Sequence, residues 1–370
     1  MKKLTLLLTA LLAGLPACET MSPPEVPQSP IPPPVEVPPP PVTATTPPPP
    51  PEPTPEEKKR AAEEKKKAEA ARQLAADRAQ WETDSQAEAA RWTPELHKEA
   101  KALASAKYPS LKAALTAIMK GHHRKPTSAP RDVYRHPLET LELFGLKPTM
   151  TVLEWGPGDG WYTELLAPTL AAKGKLLVTS GDPDGPMESR GTFYAQRLKR
   201  FLDNGAEVYG KVERVVGRGP DPKLGIEGKL DMVIIARGLH GMARDHKLDA
   251  ALADIFVALK PGGILGIEQH RARPDASAEE TAKKGYLPEA WVIETIERAG
   301  FKLAGKSEIN ANPKDTKDYP PGVWALPPTY ELKDKDRARY AEIGESDRMT
   351  LKFVKPAPKA AKGPALKPKK

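Results

Sequence analysis

The chain is nearly without cysteine, holding only Cys18 among 370 residues. That excludes a disulfide framework and a cysteine-based metal site within one chain. An apolar run long enough to cross a bilayer comfortably is also missing at the N-terminus, where Leu4–Ala13 is short. Positive charge is scarce where a nucleic-acid surface would need it. The formal charge is +8, but Lys2 and Lys3 open the chain and Lys359, Lys362, Lys367, Lys369 and Lys370 close it. Roughly one positive charge is left for residues 18–356, so no nucleic-acid partner is expected. His122-His123 lies in a Lys/Arg/Pro loop, and no metal site is expected there.

The ends of the chain carry most of the low-complexity sequence. Lys2 and Lys3 followed by Leu4–Ala13 read as an export signal, residues 1–17. Leu15-Pro16-Ala17-Cys18 resembles a bacterial lipoprotein signal, which implies acylation of Cys18 and a lipid-anchored position at the cell envelope, on the periplasmic or outer-membrane side. Ordinary cleavage with a soluble product is the alternative. Of the 43 prolines, 18 fall between Ser22 and Pro55, too many for a packed core. Residues 18–55 are therefore read as a tether in polyproline II, reaching on the order of 100 Å at ~3.1 Å per residue. Residues 56–92 are rich in Ala, Glu, Lys and Arg and are expected to form a charged, solvated helical spacer. Only Leu74, Trp81 and Trp92 are large and apolar there. Residues 93–130 read as a helical cap, with Thr93-Pro94-Glu95 opening one helix and Leu111, Leu115 and Ile118 marking one face of a second. Residues 357–370 form a basic tail.

Between these ends, strand-like and helix-like runs alternate across residues 131–356. "TVLEW", "KLLVTS", "AEVYGKVERVV", "KLDMVIIA", "ILGIEQH", "FKLAGKSEI" and "MTLKFVKP" read as strands. "GWYTELLAPTLAAKG", "MESRGTFYAQRLKRFLDNG", "DHKLDAALADIFVALKPGG" and "PEAWVIETIERAG" read as helices. The pattern predicts an α/β, doubly wound, Rossmann-like sheet of about seven mostly parallel strands with helices on both faces. Ligands of such folds bind at the carboxyl ends of the strands.

The loop after the first strand is Glu154-Trp155-Gly156-Pro157-Gly158-Asp159-Gly160. Its glycines alternate, unlike the G-x-G-x-x-G of a dinucleotide loop, which places a dehydrogenase well behind. It resembles motif I of the class I S-adenosylmethionine-dependent methyltransferases. "LKPGG" before "ILGIEQH" resembles a turn of the same superfamily, and the last two strands have the spacing of its terminal antiparallel hairpin. Residues 131–356 also resemble a bacterial, often exported, group of predicted methyltransferases. The resemblance implies S-adenosylmethionine as cofactor, held by Glu154, Gly156, Gly158 and Gly160. Asp182 is expected at the ribose, with Ser180 as the alternative. Tyr134, Arg135 and His136 would lie in a segment that closes over the cofactor, with a packing role as the alternative.

A carboxylate such as Glu154 suits a cationic cofactor. His240 and His270, in "ARGLHGM" and "EQHRAR", are the candidate catalytic bases, since a histidine near neutral pKa suits that role. Arg237, Arg271 and Trp324 are the candidate acceptor-binding residues, the arginines suiting an anion. Trp155, Trp161 and Tyr162 flank the loop and either stack or pack. The expected function is methyl transfer to a small or envelope-associated acceptor. A catalytically inactive, anchored binding module on the same fold is the alternative.

Overall fold

The computed structural model describes residues 53–217 and 223–357. The export signal, Cys18, the tether up to Glu52 and the tail from Pro358 lie outside the described residues. Among the described residues, those from Lys59 on form one compact unit. Just ahead of that stretch, Thr54 and Glu57 cap each other. The Thr54 N–H donates to the Glu57 carboxylate at 2.8 Å, and the Glu57 N–H donates to Thr54 Oγ1 at 3.2 Å. This capping box opens helix α1, Pro55–Arg91.

Side chains of α1 are exposed up to Gln73. From Leu74 onward the helix docks. Trp81 meets Phe193 edge-on at 5.7 Å, Arg200 lies 4.3 Å over the Trp81 ring, and Asp77 pairs with Arg190 at 2.6 Å. The solvated spacer expected for residues 56–92 is thus corrected in its second half. One tryptophan and a few charges are enough to seat a helix that lacks a continuous apolar stripe.

Helices α2 (Pro94–Ser105) and α3 (Leu111–Met119) begin where side-chain caps stand. Thr93 accepts from the Leu96 N–H and Ser110 from the Ala113 N–H. Short α4 (Asp132–Arg135) leads into α5 (Pro137–Phe144). The sheet then forms from β1 (Thr151–Trp155), β2 (Lys175–Ser180), β3 (Glu213–Val216), β4 (Leu230–Ala236), β5 (Leu259–His270), β6 (Lys302–Ser307) and β7 (Arg348–Val354). Its helices are α6 (Thr163–Leu170), α7 (Arg190–Asn204), α8 (Ala206–Tyr209), α9 (Leu239–Arg244), α10 (Leu248–Ala258), α11 (Ala278–Ala282), α12 (Glu289–Arg298) and α13 (Arg337–Ile343).

The seven strands are ordered β3-β2-β1-β4-β5-β7-β6. The pairs from β3 to β5 are parallel, and β7 runs antiparallel to both β5 and β6. This is the expected doubly wound architecture. Alternation along the strands splits the core into two layers. Val152, Met232 and Ile234 face Leu115, Leu141 and Phe144, whereas Leu153, Val233 and Ile235 face Leu252, Ile255 and Val292. The order reverses between β1 and β4, so the crevice for a ligand opens beyond their carboxyl ends.

Two expected boundaries are corrected. The third strand was expected to span 206–216, but residues 206–209 form α8. Tyr209 is buried there, 4.6 Å from Phe201 and 6.2 Å from Trp92, and that packing outweighs strand propensity. "LKPGG" is not a turn closing α10. Leu259 already pairs with Leu230, and the ladder resumes at Ile264 opposite Met232, leaving Lys260–Gly263 as a bulge inside β5.

Candidate functional site

The loop after β1 is shaped by three left-handed glycines. Gly156, Gly158 and Gly160 have φ of +65°, +57° and +86°, a region that disfavours side chains. A Cβ on Gly156 or Gly158 would meet nothing within 4 Å, whereas one on Gly160 would lie 2.6 Å from the Phe201 ring. Gly160 is therefore demanded by packing against α7. The other two leave bare backbone that a ligand can approach. The Gly156 N–H donates to Thr179 Oγ1 at 2.8 Å, tying the loop to the end of β2.

Glu154 is buried at the end of β1. Its Oε2 accepts from the Thr163 hydroxyl, at the first residue of α6, at 2.6 Å. Burial pushes its pKa up to about 7, against the pull of Thr163 and of the Arg237 charge. Glu154 therefore braces the loop to α6 and changes charge near neutrality. Asp182 lies two residues beyond β2, half-buried, and its Oδ1 accepts from the Asp184 N–H at 3.1 Å. Ser180, the alternative, ends the strand and donates to the Gly181 carbonyl at 2.8 Å.

Arg237 follows β4 directly, with φ at +56°. Its N–H donates to the Glu268 carbonyl at 2.6 Å and its Nη1 to Glu268 Oε1 at 3.0 Å. Tyr162 donates its hydroxyl to the other Glu268 oxygen at 2.7 Å, and Arg348 Nε lies 3.2 Å from Oε1. Arg348 continues to Glu345 at 2.7 Å, where Arg131 and Arg135 also donate at 2.6 and 2.9 Å. Four guanidiniums thus share two buried carboxylates, Glu268 and Glu345. None of these partnerships was legible in the sequence, although "ESDR" running into the last strand and a glutamate inside "ILGIEQH" are unusual for strands paired on both sides.

His240 and His270 do converge, with ring centroids 5.8 Å apart, and Trp324 meets His240 edge-on at 6.0 Å. Gln269 Nε2 donates to the Gly285 carbonyl at 3.0 Å and lies 3.3 Å from both the His270 carbonyl and His240 Nδ1. His270 Nδ1 contacts the buried Ser346 hydroxyl at 2.5 Å. Burial lowers the His240 pKa to about 4, and burial together with the neighbouring Arg348 and Arg237 charges holds His270 well below the usual imidazole value. The near-neutral base expected at these positions is corrected. Both rings are neutral, hydrogen-bonding groups at physiological pH.

Arg271 does not join this cluster. Its guanidinium is divided among Asp347, Glu289 and Glu308 at 3.1, 2.9 and 2.5 Å. Three carboxylates occupy the group expected to hold an anionic acceptor, and it serves instead to pin β5 to the start of β7. The Tyr134 ring is exposed, and its carbonyl accepts from Arg348. Trp161 and Tyr162 are buried against each other, edge-on at 4.8 Å. His122 and His123 diverge, one pairing with Glu99 and the other reaching the Glu164 carbonyl.

No family model and no curated protein matches this chain. Among solved structures it is similar to a SAM-dependent methyltransferase from Aquifex aeolicus, with 20% identity and a TM-score of 0.39 over 65% of this chain and 97% of that one. It is similar to the [4+2]-cyclase SpnF at 14% identity and a TM-score of 0.45, over 68% and 98% of the two chains. A TehB-like SAM-dependent methyltransferase from Corynebacterium glutamicum shares 16% identity and a TM-score of 0.35, over 62% and 91%. At these identities the likeness concerns the fold.

Proposed function

We propose that this protein is an S-adenosylmethionine-dependent methyltransferase. The observation that carries the reading is the loop after β1. Two left-handed glycines present bare backbone at the reversal of strand order, directly behind a buried carboxyl group. A cationic cofactor suits that carboxyl, whereas a pyrophosphate would be repelled by it. When bound, S-adenosylmethionine supplies an electrophilic methyl group on a sulfonium. Gly156 and Gly158 would admit it, and Asp182 or Ser180 would meet its ribose. Arg237, His240 and Trp324 line the neighbouring strand end. With His240 neutral and weakly basic, this chain serves mainly to align the reactants and exclude water, and suits an acceptor that needs no strong base.

One observation favours a second reading, a catalytically inactive binding module. Asp182 stands two residues past β2 and spends one oxygen on the Asp184 N–H. Titration of S-adenosylmethionine separates the two, because the inactive module has no need to bind it. Anchoring at the envelope through acylated Cys18 belongs to the same proposal and rests on the first 18 residues alone. Incorporation of labelled palmitate, lost in Cys18→Ala, tests it.

A further inference from the structure

Glu268 is fully buried near the end of β5, a strand paired with β4 on one side and β7 on the other. Removing a carboxylate from water is costly, and packed apolar side chains often serve stability as well as a buried ion pair does. Stability is therefore weak reason for an acid in this place. What distinguishes Glu268 is the set of groups it joins. Its Oε2 accepts from the Tyr162 hydroxyl at 2.7 Å, its Oε1 from Arg237 Nη1 at 3.0 Å, and its main-chain carbonyl from the Arg237 N–H at 2.6 Å.

These contacts come from the two loops that flank the reversal of strand order. Tyr162 lies two residues beyond Gly160, where the glycine loop enters α6, and is itself buried. Burial and the Glu268 charge hold its hydroxyl well above the usual phenol value, so it keeps its proton and donates. Arg237 follows β4 and stands three residues before His240, which lies in the first turn of α9. Its φ of +56° is one that an arginine adopts only at a cost. Two hydrogen bonds to the same residue, Glu268, hold it there. Backbone strain of this kind persists where the surroundings over-determine it. Arg348 completes the set, with its Nε 3.2 Å from Oε1.

We propose that Glu268 is a positioning residue that couples the cofactor loop to the acceptor side. A ligand that settles the loop between Gly156 and Tyr162 also settles the segment Arg237–Arg244, which carries His240. This rests on the methyltransferase reading, which supplies the ligand. The coupling is reciprocal, so an acceptor bound beside His240 tightens the hold on the cofactor. Neither Glu268 nor Tyr162 needs to touch either ligand.

The test is hydrogen exchange of the full chain, read by mass spectrometry with and without saturating S-adenosylhomocysteine. In the wild type, amides of Arg237–Arg244 should exchange about fivefold or more slower when the ligand is bound. Tyr162→Phe removes a single hydroxyl and cuts the link on the loop side. It should still bind S-adenosylhomocysteine, about tenfold more weakly, and at saturation the slowing should fall below about twofold. Arg237→Lys cuts the link on the other side while keeping the charge. It should lose the slowing too, and serves if Tyr162→Phe melts early. Arg271→Ala weakens the tie between β5 and β7 without touching these bonds, so it should keep the full slowing. That separates coupling from a general loss of stability. Slowing that persists in Tyr162→Phe, or that disappears in Arg271→Ala as well, would overturn the proposal. So would a wild type that binds the ligand with Arg237–Arg244 unchanged, and the methyltransferase reading would then stand alone. A folded wild type that does not bind S-adenosylhomocysteine would overturn that reading and this proposal with it.

Discussion

Gly158 and Gly160 stand two residues apart, yet a side chain meets a different fate at each. Over Gly158 there is open space, so Gly158→Val should cost about 1–2 kcal/mol of left-handed strain and, if the loop holds the cofactor, abolish its binding in a chain that still folds. At Gly160 even a methyl group runs into Phe201. Gly160→Ala should cost about 1–3 kcal/mol by overpacking, read from its urea midpoint. Sequence spacing marks both glycines alike; only the packing of α7 tells them apart. Glu154 offers a pH test. Its pKa in the folded chain is about 7, above its ordinary 4.5. The folded state therefore keeps a proton that the unfolded chain has lost, and this residue's contribution to stability falls as pH rises from 4.5 to 7. A cationic cofactor favours the charged form. Affinity for S-adenosylmethionine should rise as pH passes through about 7, with proton release detectable by calorimetry in buffers of different ionisation heat. Glu154→Gln should flatten that slope. A slope that persists in the variant would assign the proton elsewhere.

At the scale of elements, strongly patterned segments were legible in the sequence and tertiary contacts were not. β4 is mostly apolar and buried on both faces from Met232 to Ile235, and α2 begins at the Thr93-Pro94 signal. Residues 206–209 read as strand and became helix because Tyr209 is held by nearby Phe201 and by Trp92, which lies far away in the sequence. The docking of α1 had no periodic signature. It depends on Trp81 and on charges that meet partners more than a hundred residues away. Amides from Leu74 to Arg91 should consequently exchange more slowly than those from Lys59 to Gln73, and Trp81→Ala should erase much of the difference. Arg271 belongs to this scale as well. Arg271→Ala should cost about 1 kcal/mol or more, since Asp347 and Glu289 each lose one partner while Lys317 and Lys306 stay with them at 2.7 and 3.0 Å. Its affinity for cofactor should stay unchanged, as measured by titration after correcting for the folded fraction.

For the whole molecule, the doubly wound sheet was readable from alternation because each strand and helix carries its own period. The site was readable only where chemistry is local, in the glycine loop. The histidines were found by their place at strand ends, but their neutral state depends on burial that no spacing reveals. The Glu268–Arg348–Glu345 network joins β5, β7 and the segments around α4, and it appears only once the sheet is closed. The measurement that tests the central claim most directly is calorimetric titration of S-adenosylmethionine and S-adenosylhomocysteine into the purified full chain. Micromolar binding of both, lost in Gly158→Val, is the predicted result. A chain that is folded by circular dichroism and cooperative melting, yet takes up neither compound, would contradict it.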